Sequence, residues 1–423
     1  MYHATIPPIV HHHGYRSQQG AHPRRGVDYR GKIVLAPMVR SGELPSRLVA
    51  LKYGADLVWG PETVDRSMIG TTRRVNDATG TIEWTRQPSN GQKAPPEHAT
   101  ESTIYKMHPA KEGEKLIFQM GTSDPERAVA CARLVAADVA GIDVNAGYKL
   151  CAILEALVRD IVPEFEIGIS VKIRILDTAA ETETLVRRLC ATGITGLTVH
   201  CRTTPMRPRE RAIRGQLRMI ADVCREAGVA CLMNGDVTNR DEGLKLAEEF
   251  GVDGAMIATA AEKNPSCFRS QADGGLAPWR EAVEEYVKLA MEVENKYGNT
   301  KFLLANMVPG KQVLHGPITQ CRSHTQVCQH LDFSHLLEKA RAADMALELG
   351  EFARAPRKKD KKANAAALAA GGNMAQARKA SKTTDNKLAQ PNRLAQPAQA
   401  AQTETSLPVA EPPLQPAVAA SSM

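Results

Sequence analysis

The chain has 423 residues, a mass of 45.9 kDa, 43% hydrophobic residues and 24% charged residues. This composition is typical of a globular protein, and it argues against a membrane protein because no apolar run approaches the roughly 20 residues of a spanning helix. The net charge of +7 comes almost entirely from residues 351–423, which carry eleven Lys or Arg and five Asp or Glu. The charge balance therefore does not by itself indicate that the rest of the chain binds nucleic acid.

The first thirty residues are polar and include three consecutive histidines, His11, His12 and His13. They lack both a periodic pattern and the apolar core of a secretory signal, so we interpret residues 1–30 as a disordered N-terminal arm of an intracellular protein. Nine cysteines are scattered through the chain, and none forms a C-x-x-C pair. An odd number of separated cysteines argues against a disulfide framework and a zinc site, so we predict reduced thiols and no metal.

Short apolar runs, each followed by a helix-like segment, recur between Lys32 and Phe268. The eight runs are Ile33–Met38, Asp56–Trp59, Leu116–Met120, Gly141–Asn145, Ile169–Ile175, Gly196–His200, Ala230–Asn234 and Gly254–Ala258. Because both faces of each run are apolar, the runs predict buried parallel strands. Eight such repeats predict an α/β fold, a (β/α)8 or TIM barrel over residues 31–276. A doubly wound open sheet is the alternative, but the chain lacks the G-x-G-x-x-G that usually follows its first strand.

Helical spacing follows several of the runs. The predicted helices include Leu44–Leu51, Glu126–Ala136, Thr182–Cys190 and Asp241–Phe250. Asp124 and Pro125 have the residue types preferred at the N-cap and the first helical position. Between the second and third repeats, Arg86–Glu114 is rich in Pro, Gly, Lys and Glu, and we interpret it as a surface insertion.

Residues 277–350 have no strand pattern. The amphipathic segment Trp279–Lys296, followed by Phe302–Met307 and His335–Leu349, predicts a small all-α domain. Residues 351–423 begin with the basic run Arg357–Lys362 and continue as a tail of Ala, Gln, Pro, Lys and Ser, which predicts a disordered basic tail. The tail admits three interpretations: a solvated segment, a non-specific RNA anchor and a nuclear localisation signal.

Polar side chains stand at the ends of most predicted barrel strands, where the active sites of such barrels lie. They are Gln119, Asn145, Lys172, Arg174, His200, Asn234–Gly235–Asp236 and Ala258–Thr259. The last two groups follow strands seven and eight, where barrels frequently bind phosphate. Gln119 and Asn145 can read the edge of a heterocycle with paired donors and acceptors. The pattern favours a phosphorylated flat cofactor such as FMN, with a phosphorylated substrate as the alternative.

Five segments of the chain resemble the tRNA-dihydrouridine synthases. They are Leu35–Arg40, Phe118–Asp124, Val139–Asn145, Val171–Arg174 and Ala258–Pro265. The resemblance extends in order from Lys32 to Asp332 and is greatest to the eukaryotic members that act on uridine 20 of cytoplasmic tRNA. It implies an FMN-binding TIM barrel, a helical tRNA-binding domain at 277–350, and NADPH or NADH as reductant. It also implies hydride transfer from the flavin to C6 of uridine and protonation of C5 by a cysteine.

The resemblance also implies roles for individual residues. Pro37, Met38 and Val39 would lie under the flavin, and Gln119, Lys172 and His200 would bind it. Asn234, Gly235, Asp236, Ala258 and Thr259 would surround its phosphate, and Asn145 and Arg174 would contact the substrate. The implied location is the cytoplasm, with the nucleus as a second site. No membrane and no obligatory protein partner is expected.

The chain departs from the family after strand four. The family motif reads Asn-Met-Gly-Cys-Pro-Lys and continues into a Ser- and Gly-rich loop, whereas here Asn145 is followed by Ala146, Gly147, Tyr148 and Lys149. Tyr148 thus stands where the acid Cys belongs, and the family loop is missing. We interpret Cys151 as a packed helix thiol rather than a substitute acid, so no catalytic residue is assigned.

Three interpretations follow from this departure: an active synthase, a catalytically impaired relative that binds tRNA and FMN, or an incomplete gene model of an active enzyme.

A second departure is Thr259, where relatives often have Arg. If that Arg contacts the flavin phosphate through its side chain, its absence weakens FMN binding; a backbone contact would be little changed.

Overall fold

The computed structural model describes residues 26–87, 101–146, 149–207, 209–310 and 315–352. Most of the predicted arm and tail lie outside these ranges, so the domain boundaries stay predictions. The strands are β1 (Lys32–Leu35), β2 (Val58–Trp59), β3 (Thr63–Val64), β4 (Thr72–Asn76), β5 (Thr81–Arg86), β6 (Ser102–Met107), β7 (Leu116–Thr122), β8 (Gly141–Ala146), β9 (Gly168–Arg174), β10 (Gly196–His200), β11 (Ala230–Asn234) and β12 (Gly254–Ile257).

The helices alternate with the barrel strands and then continue alone. They are α1 (Leu44–Lys52), α2 (Asp65–Met68), α3 (Pro109–Glu112), α4 (Pro125–Arg133), α5 (Leu150–Asp160), α6 (Val162–Phe165), α7 (Ala179–Cys190), α8 (Leu217–Ala227), α9 (Arg240–Phe250), α10 (Thr259–Lys263), α11 (Trp279–Glu292), α12 (Tyr297–Met307), α13 (His315–Gln320), α14 (His324–His330) and α15 (Leu337–Ala346). Short 3-10 helices cover Gly113–Lys115, Pro265–Phe268, Ser334–Leu336 and Gly350–Phe352. Among the described residues of the chain, no helix is long and apolar enough to cross a membrane.

Eight parallel strands close into a barrel. Their order is β2, β1, β12, β11, β10, β9, β8 and β7, and pairing of Val58 and Trp59 with β7 closes the ring. These are the eight runs read from the sequence, so the (β/α)8 barrel is confirmed. The predicted cap is also observed. Asp124 directly precedes Pro125, the first residue of α4, and its side chain accepts a hydrogen bond from the N–H of Arg127.

Alternation along each strand divides the barrel side chains into two sets. One set faces the interior, where Val34, Trp59, Ile117, Leu232 and Met256 form a buried apolar cluster. The other set packs against the surrounding helices and contains Ile33, Leu35, Phe118, Ile142, Val144, Val171, Leu197, Val199, Met233 and Ile257. Both sets are apolar near the N-terminal ends of the strands, which explains why the strands appear in the sequence as continuous hydrophobic runs.

Tyr29 closes the end of the barrel at which the strands begin. Its ring is buried, and the ring centroid lies 6.1 Å from that of Trp59. Its hydroxyl is hydrogen-bonded to the side chain of Ser170. A Cβ on Gly196, the first residue of β10, would lie 2.8 Å from the Tyr29 ring, so this glycine makes room for it. Tyr29 was predicted to belong to the disordered arm, but it is part of the barrel.

The inserted segment is more regular than its composition indicates. Strands β4, β5 and β6 form an antiparallel sheet, so the insertion begins near Thr72 rather than at Arg86; residues 88–100 lie outside the described ranges. Trp84 is buried, and its indole N–H donates to the carbonyl of Leu134 at 2.9 Å. Arg73 forms an ion pair with Asp138. These contacts attach the sheet to the segment that follows α4.

A buried ion pair connects α1 to this insertion. The Arg47 guanidinium donates two 2.7 Å hydrogen bonds to the carboxylate of Glu112, and the two side chains are 1% and 0% exposed. Arg47 also donates to the carbonyls of Gly42 and Lys106, at 2.9 and 2.8 Å. The pair therefore holds the loop after β1 against β6 and α3.

Helices α11–α15 continue the fold beyond the barrel, and α11 packs on α1. Arg40 stacks over the Phe302 ring at 4.2 Å, which adds a contact between the loop after β1 and α12. Within the helical segment, buried Asp344 accepts hydrogen bonds from the backbone N–H of His324 and Thr325, at 2.7 and 2.9 Å. It thereby caps α14 from α15.

Candidate active site

A cavity of about 770 Å³ opens at the ends of the barrel strands. Its lining residues are Pro37, Val39, Glu62, Gln119, Asn145, Leu150, Lys172, Ile173, Arg174, Leu176, Leu185, His200 and Thr204. Seven of them were predicted from the sequence: Pro37, Val39, Gln119, Asn145, Lys172, Arg174 and His200. Strand register and alternation bring these side chains from separate repeats to one rim, which is the arrangement expected of a barrel active site.

A polar layer lies at the base of the cavity. Gln119 of β7 and Ser170 of β9 flank Asp143 of β8, and they donate to its two carboxylate oxygens at 2.6 and 2.7 Å. The indole N–H of Trp59 is near the same carboxylate but makes no hydrogen bond of regular geometry. Burial raises the pKa of Asp143 to about 6, although the hydrogen bonds and the charge of Lys172 oppose the rise. Asp143 thus fixes the orientation of the Gln119 amide, because the carboxylate can accept a hydrogen bond only from the NH2 group and not from the amide oxygen.

Lys172 and His200 sit above this layer with unusual pKa values. Burial lowers the pKa of Lys172 to about 8, and Asp143 partly restores it. Burial, followed by the positive charges of Lys172, Arg174 and Arg202, lowers the pKa of His200 to about 3. At neutral pH the cavity therefore holds a neutral imidazole beside an ammonium group.

The hydrogen bond of His200 fixes its tautomer. Its Nε2 lies 3.2 Å from Nη1 of Arg202. Since a guanidinium can only donate, Nε2 accepts and Nδ1 carries the proton. Arg174 is held separately, by a 2.9 Å hydrogen bond to the carbonyl of Thr203, and burial lowers its pKa.

Glu62 is a cavity residue that was not predicted from the sequence. Its carboxylate accepts a 2.8 Å hydrogen bond from the side-chain amide of Asn145. A Cβ on Gly121 would lie 2.4 Å from Glu62 Oε1, so the glycine near the end of β7 provides space for the carboxylate. Glu62 stands three residues after β2, the same kind of strand-end position that identified the others. Leu150, Ile173, Leu176, Leu185 and Thr204 were also missed, and they form much of the wall.

The residues expected around a phosphate do not line this cavity, nor does Met38. Asn234 is buried and donates to the carbonyl of Met256 at 3.0 Å. Asp236 accepts from the N–H of Ala212 at 2.7 Å and from Arg202. Although burial opposes it, these hydrogen bonds lower the pKa of Asp236. Gly235 and Asp236 both have positive φ, and Ala258 and Thr259 lead into α10.

The position of the family cysteine, Tyr148, lies outside the described residues. Cys151 is partly buried in α5 and packs against the hydrophobic core. Its neighbour Leu150 lines the cavity, whereas Cys151 does not. Across the described ranges, no group of three or more His, Cys, Asp or Glu side chains could hold a metal ion.

The cavity combines cationic and neutral donors with an apolar wall. Lys172 and Arg174 supply positive charge, while Gln119 and Asn145 supply amides that donate and accept. Leu150, Leu176 and Leu185 add apolar surface to the wall. Such a site can hold a flat heterocycle with polar edges and can stabilise negative charge on it.

Comparisons with known proteins identify similar sequences. The family model described as dihydrouridine synthase (Dus) matches residues 34–151 and 148–332. A tRNA-dihydrouridine(20) synthase of Schizosaccharomyces pombe is 45% identical over 306 residues, 67% of this chain and 61% of the relative. The tRNA-dihydrouridine(20) synthase of Saccharomyces cerevisiae is 39% identical over 359 residues, 76% of this chain and 91% of the relative. A human tRNA-dihydrouridine(20a/20b) synthase-like protein is 26% identical over 282 residues, 62% of this chain and 78% of the relative.

Proposed function

Because the chain belongs to the dihydrouridine synthase family, we propose that it reduces uridine in tRNA to 5,6-dihydrouridine, with NADPH or NADH as the reductant. The names of the two yeast relatives support position 20 as the target. The observation that carries the proposal is the convergence of Gln119, Asn145, Lys172 and His200 on one cavity. Four separate strands deliver these side chains, so the site is built by the fold rather than by a local motif.

We propose FMN as the cofactor. The cavity volume falls within the range of about 300–1,000 Å³ usual for small-molecule sites. The Lys172 ammonium, the Gln119 amide and the neutral His200 imidazole provide donors and an acceptor for the polar edge of the flavin ring. Reduced flavin, when bound, would supply the hydride that the reaction requires.

The remaining cavity residues suit a uracil base. Asn145 and Arg174 are the proposed substrate contacts, and Glu62 holds the Asn145 amide in place. Leu150, Leu176 and Leu185 supply apolar surface to the cavity wall. A uridine within folded tRNA must turn out of its stack to reach such a recess. The helical segment is the proposed second tRNA contact, and the cytoplasm, with the nucleus as an additional site, is the proposed location.

A second candidate function is a flavin- and tRNA-binding protein without synthase activity. The observation favouring it is the segment Asn145–Lys149, in which Tyr148 replaces the family cysteine. General acid catalysis typically contributes about 10²–10⁴-fold, so loss of the acid predicts a rate reduced by that order. Sequencing the transcript across this segment tests whether an incomplete gene model accounts for the missing loop.

The purified full-length protein tests the proposal directly. We expect visible flavin absorbance, FMN released on denaturation, and dihydrouridine detected by nucleoside mass spectrometry after incubation with unmodified tRNA and NADPH. Flavin and tRNA binding without dihydrouridine would support the second candidate, and protein that binds neither would refute both.

A paired substitution tests the site. Lys172→Met removes a charged hydrogen-bond donor worth about 1.5–3 kcal/mol, so flavin affinity should fall roughly tenfold to a hundredfold. Lys245→Met changes the same residue type on the exposed surface of α9 and is the matched control. Equal flavin affinity in the two variants would contradict the role of Lys172.

A further inference from the structure

We propose that the loop between β10 and α8 binds the phosphate backbone of the RNA beside the cavity. This arginine loop, residues 201–216, is described except for residue 208. The inference rests on the proposed function and deepens it, because it names the surface that holds the nucleotides flanking the target uridine. The loop contains one acidic residue, Glu210, and five arginines: Arg202, Arg207, Arg209, Arg211 and Arg214.

Two of the arginines anchor the base of the loop. Arg202 donates to the carboxylate of Asp236, and to the carbonyl of Glu210 at 2.7 Å. Arg214 donates to the carbonyls of Gly235 and Asp236, at 3.1 and 2.9 Å. The N–H of Ala212 also donates to the Asp236 carboxylate. The end of β11 thus holds the arginine loop at both sides, which gives it a defined place on the rim.

The other three arginines point into solvent. Arg207, Arg209 and Arg211 are exposed, and within the described part of the chain their guanidinium groups make no ion pair. The carboxylate of Glu210 is engaged by the backbone N–H of Arg207 at 2.7 Å. The loop therefore presents more positive than negative charge.

Several exposed arginines elsewhere form ion pairs. Examples are Arg73 with Asp138, Arg133 with Glu164, and Arg187 with both Glu183 and Glu226. In the described part of the chain outside this loop, exposed arginines without an ion pair, such as Arg66 and Arg341, do not occur three within five residues. A cluster of unpaired guanidinium groups on one loop repels itself. Such a cluster is better explained by an anionic ligand than by the stability of the fold.

The loop also forms part of the cavity wall. Thr204 lines the cavity, and the carbonyl of Thr203 accepts the hydrogen bond of Arg174. The charge of Arg207 contributes to lowering the pKa of Arg174, so the loop and the cavity lie within electrostatic reach. A nucleotide turned into the cavity would bring its flanking phosphates to this loop.

Guanidinium groups bind phosphate oxygens through paired hydrogen bonds, and such contacts position a nucleic acid without reading its sequence. RNA backbone is favoured over a small phosphate compound because three separate side chains extend outward from the rim. A single nicotinamide cofactor phosphate would need them to converge on one point. An acidic protein partner is a further alternative that the experiment separates.

The test is a triple substitution, Arg207→Gln, Arg209→Gln and Arg211→Gln, in the full chain. Binding of an unmodified tRNA transcript is measured by fluorescence anisotropy at several salt concentrations. Each lost phosphate contact reduces the slope of log K against log salt by about 0.7–0.9, so the three together should reduce it by about 2 to 3. Circular dichroism and flavin content should match those of the unaltered protein.

The matched control is Arg187→Gln, Arg188→Gln and Arg225→Gln, which removes the same charge from exposed positions on α7 and α8. Control binding with an unchanged salt slope supports the inference, whereas an equal loss in both variants shows a general charge effect and overturns it. A triple variant that keeps its tRNA affinity also overturns it. If that variant shows a raised KM for NADPH or weaker binding of polyglutamate, the loop serves the cofactor or an acidic protein.

The two proposals fail in different ways. Unaltered protein that binds tRNA through the arginine loop but forms no dihydrouridine refutes the synthase activity and leaves the loop assignment standing. Unaltered protein that forms dihydrouridine, with a loop variant of equal affinity and salt slope, refutes the loop assignment alone. Absence of any tRNA binding refutes both.

Discussion

The low pKa of His200 predicts a specific loss of stability in acid. Its value of about 3 lies below the ordinary 6.5, so between these values the unfolded chain binds a proton at His200 and the folded chain does not. Stability from this group is therefore present above pH 6.5 and is lost as pH falls toward 3. Replacing the imidazole by a neutral amide, His200→Gln, removes the dependence.

The magnitude follows from the shift. A pH of 5 lies about 1.5 units below the pKa of the unfolded histidine. Protonation therefore stabilises the unfolded chain at pH 5 by about 2 kcal/mol, at 1.36 kcal/mol per unit. His200 lies at the cavity surface and is partly exposed, so solvent screening reduces this to about 1 kcal/mol. The stability advantage of the unaltered protein over the His200→Gln variant should thus shrink by about 1 kcal/mol between pH 7 and pH 5.

The assay is urea unfolding of flavin-free protein, followed by circular dichroism at pH 5, 6 and 7. His335→Gln makes the same change at an exposed histidine of the helical segment, whose Nε2 lies 3.0 Å from the carboxylate of Glu284. It is the comparison variant, because its neighbour is a carboxylate whereas His200 lies among the cations Lys172, Arg174 and Arg202. A stability difference between unaltered and His200→Gln protein that stays constant, or grows toward pH 5, would refute the assigned electrostatics.

Three further predictions concern stability. Arg47→Met leaves the buried Glu112 carboxylate without its partner and should cost about 3–5 kcal/mol in urea unfolding; Glu112→Leu in the same chain should recover most of the loss, and an additive pair of losses would contradict the coupling. Thr178→Ala removes the capping box of α7 and should cost about 1 kcal/mol, seen as a lower Tm; an unchanged Tm would count against the cap. The pKa of Asp344 is lowered to about 2 by hydrogen bonds, chiefly from His324, that outweigh burial. Asp344→Asn should therefore cost about 1.5–3 kcal/mol and speed amide exchange at His324, and unchanged exchange would refute the cap on α14.

The barrel could be predicted because its strands repeat one simple pattern. Buried parallel strands are apolar on both faces, and this pattern identified all eight. The site could be predicted from the strand ends, since Lys172, Arg174 and His200 are polar residues in or at the end of apolar runs, and the structure shows all three lining the cavity. A polar residue in such a strand is costly unless it is used or paired, so each interruption carried information.

Other features depend on contacts that no local pattern records. Tyr29 follows a polar segment, and its ring enters the barrel next to Gly196, a residue far away in the sequence that leaves space for it. The inserted sheet is stabilised through Trp84 and Arg73, whose partners are distant in sequence. Asp236 was predicted near a phosphate because of its strand-end position, and that role stays a prediction; the hydrogen bonds of its carboxylate with Arg202 and Ala212 could not be predicted from the sequence. Glu62 could have been predicted, because it follows β2 as the others follow their strands.

Tyr29 is connected to the cavity through a chain of hydrogen bonds. Its hydroxyl is hydrogen-bonded to Ser170, Ser170 donates to the buried carboxylate of Asp143, and Gln119 donates to the other oxygen of that carboxylate. A change at the closed end of the barrel, such as loss of the Tyr29 hydroxyl, would therefore alter the partners that orient the Gln119 amide at the opposite end. The residues before the first strand are in this way part of the support of the cavity.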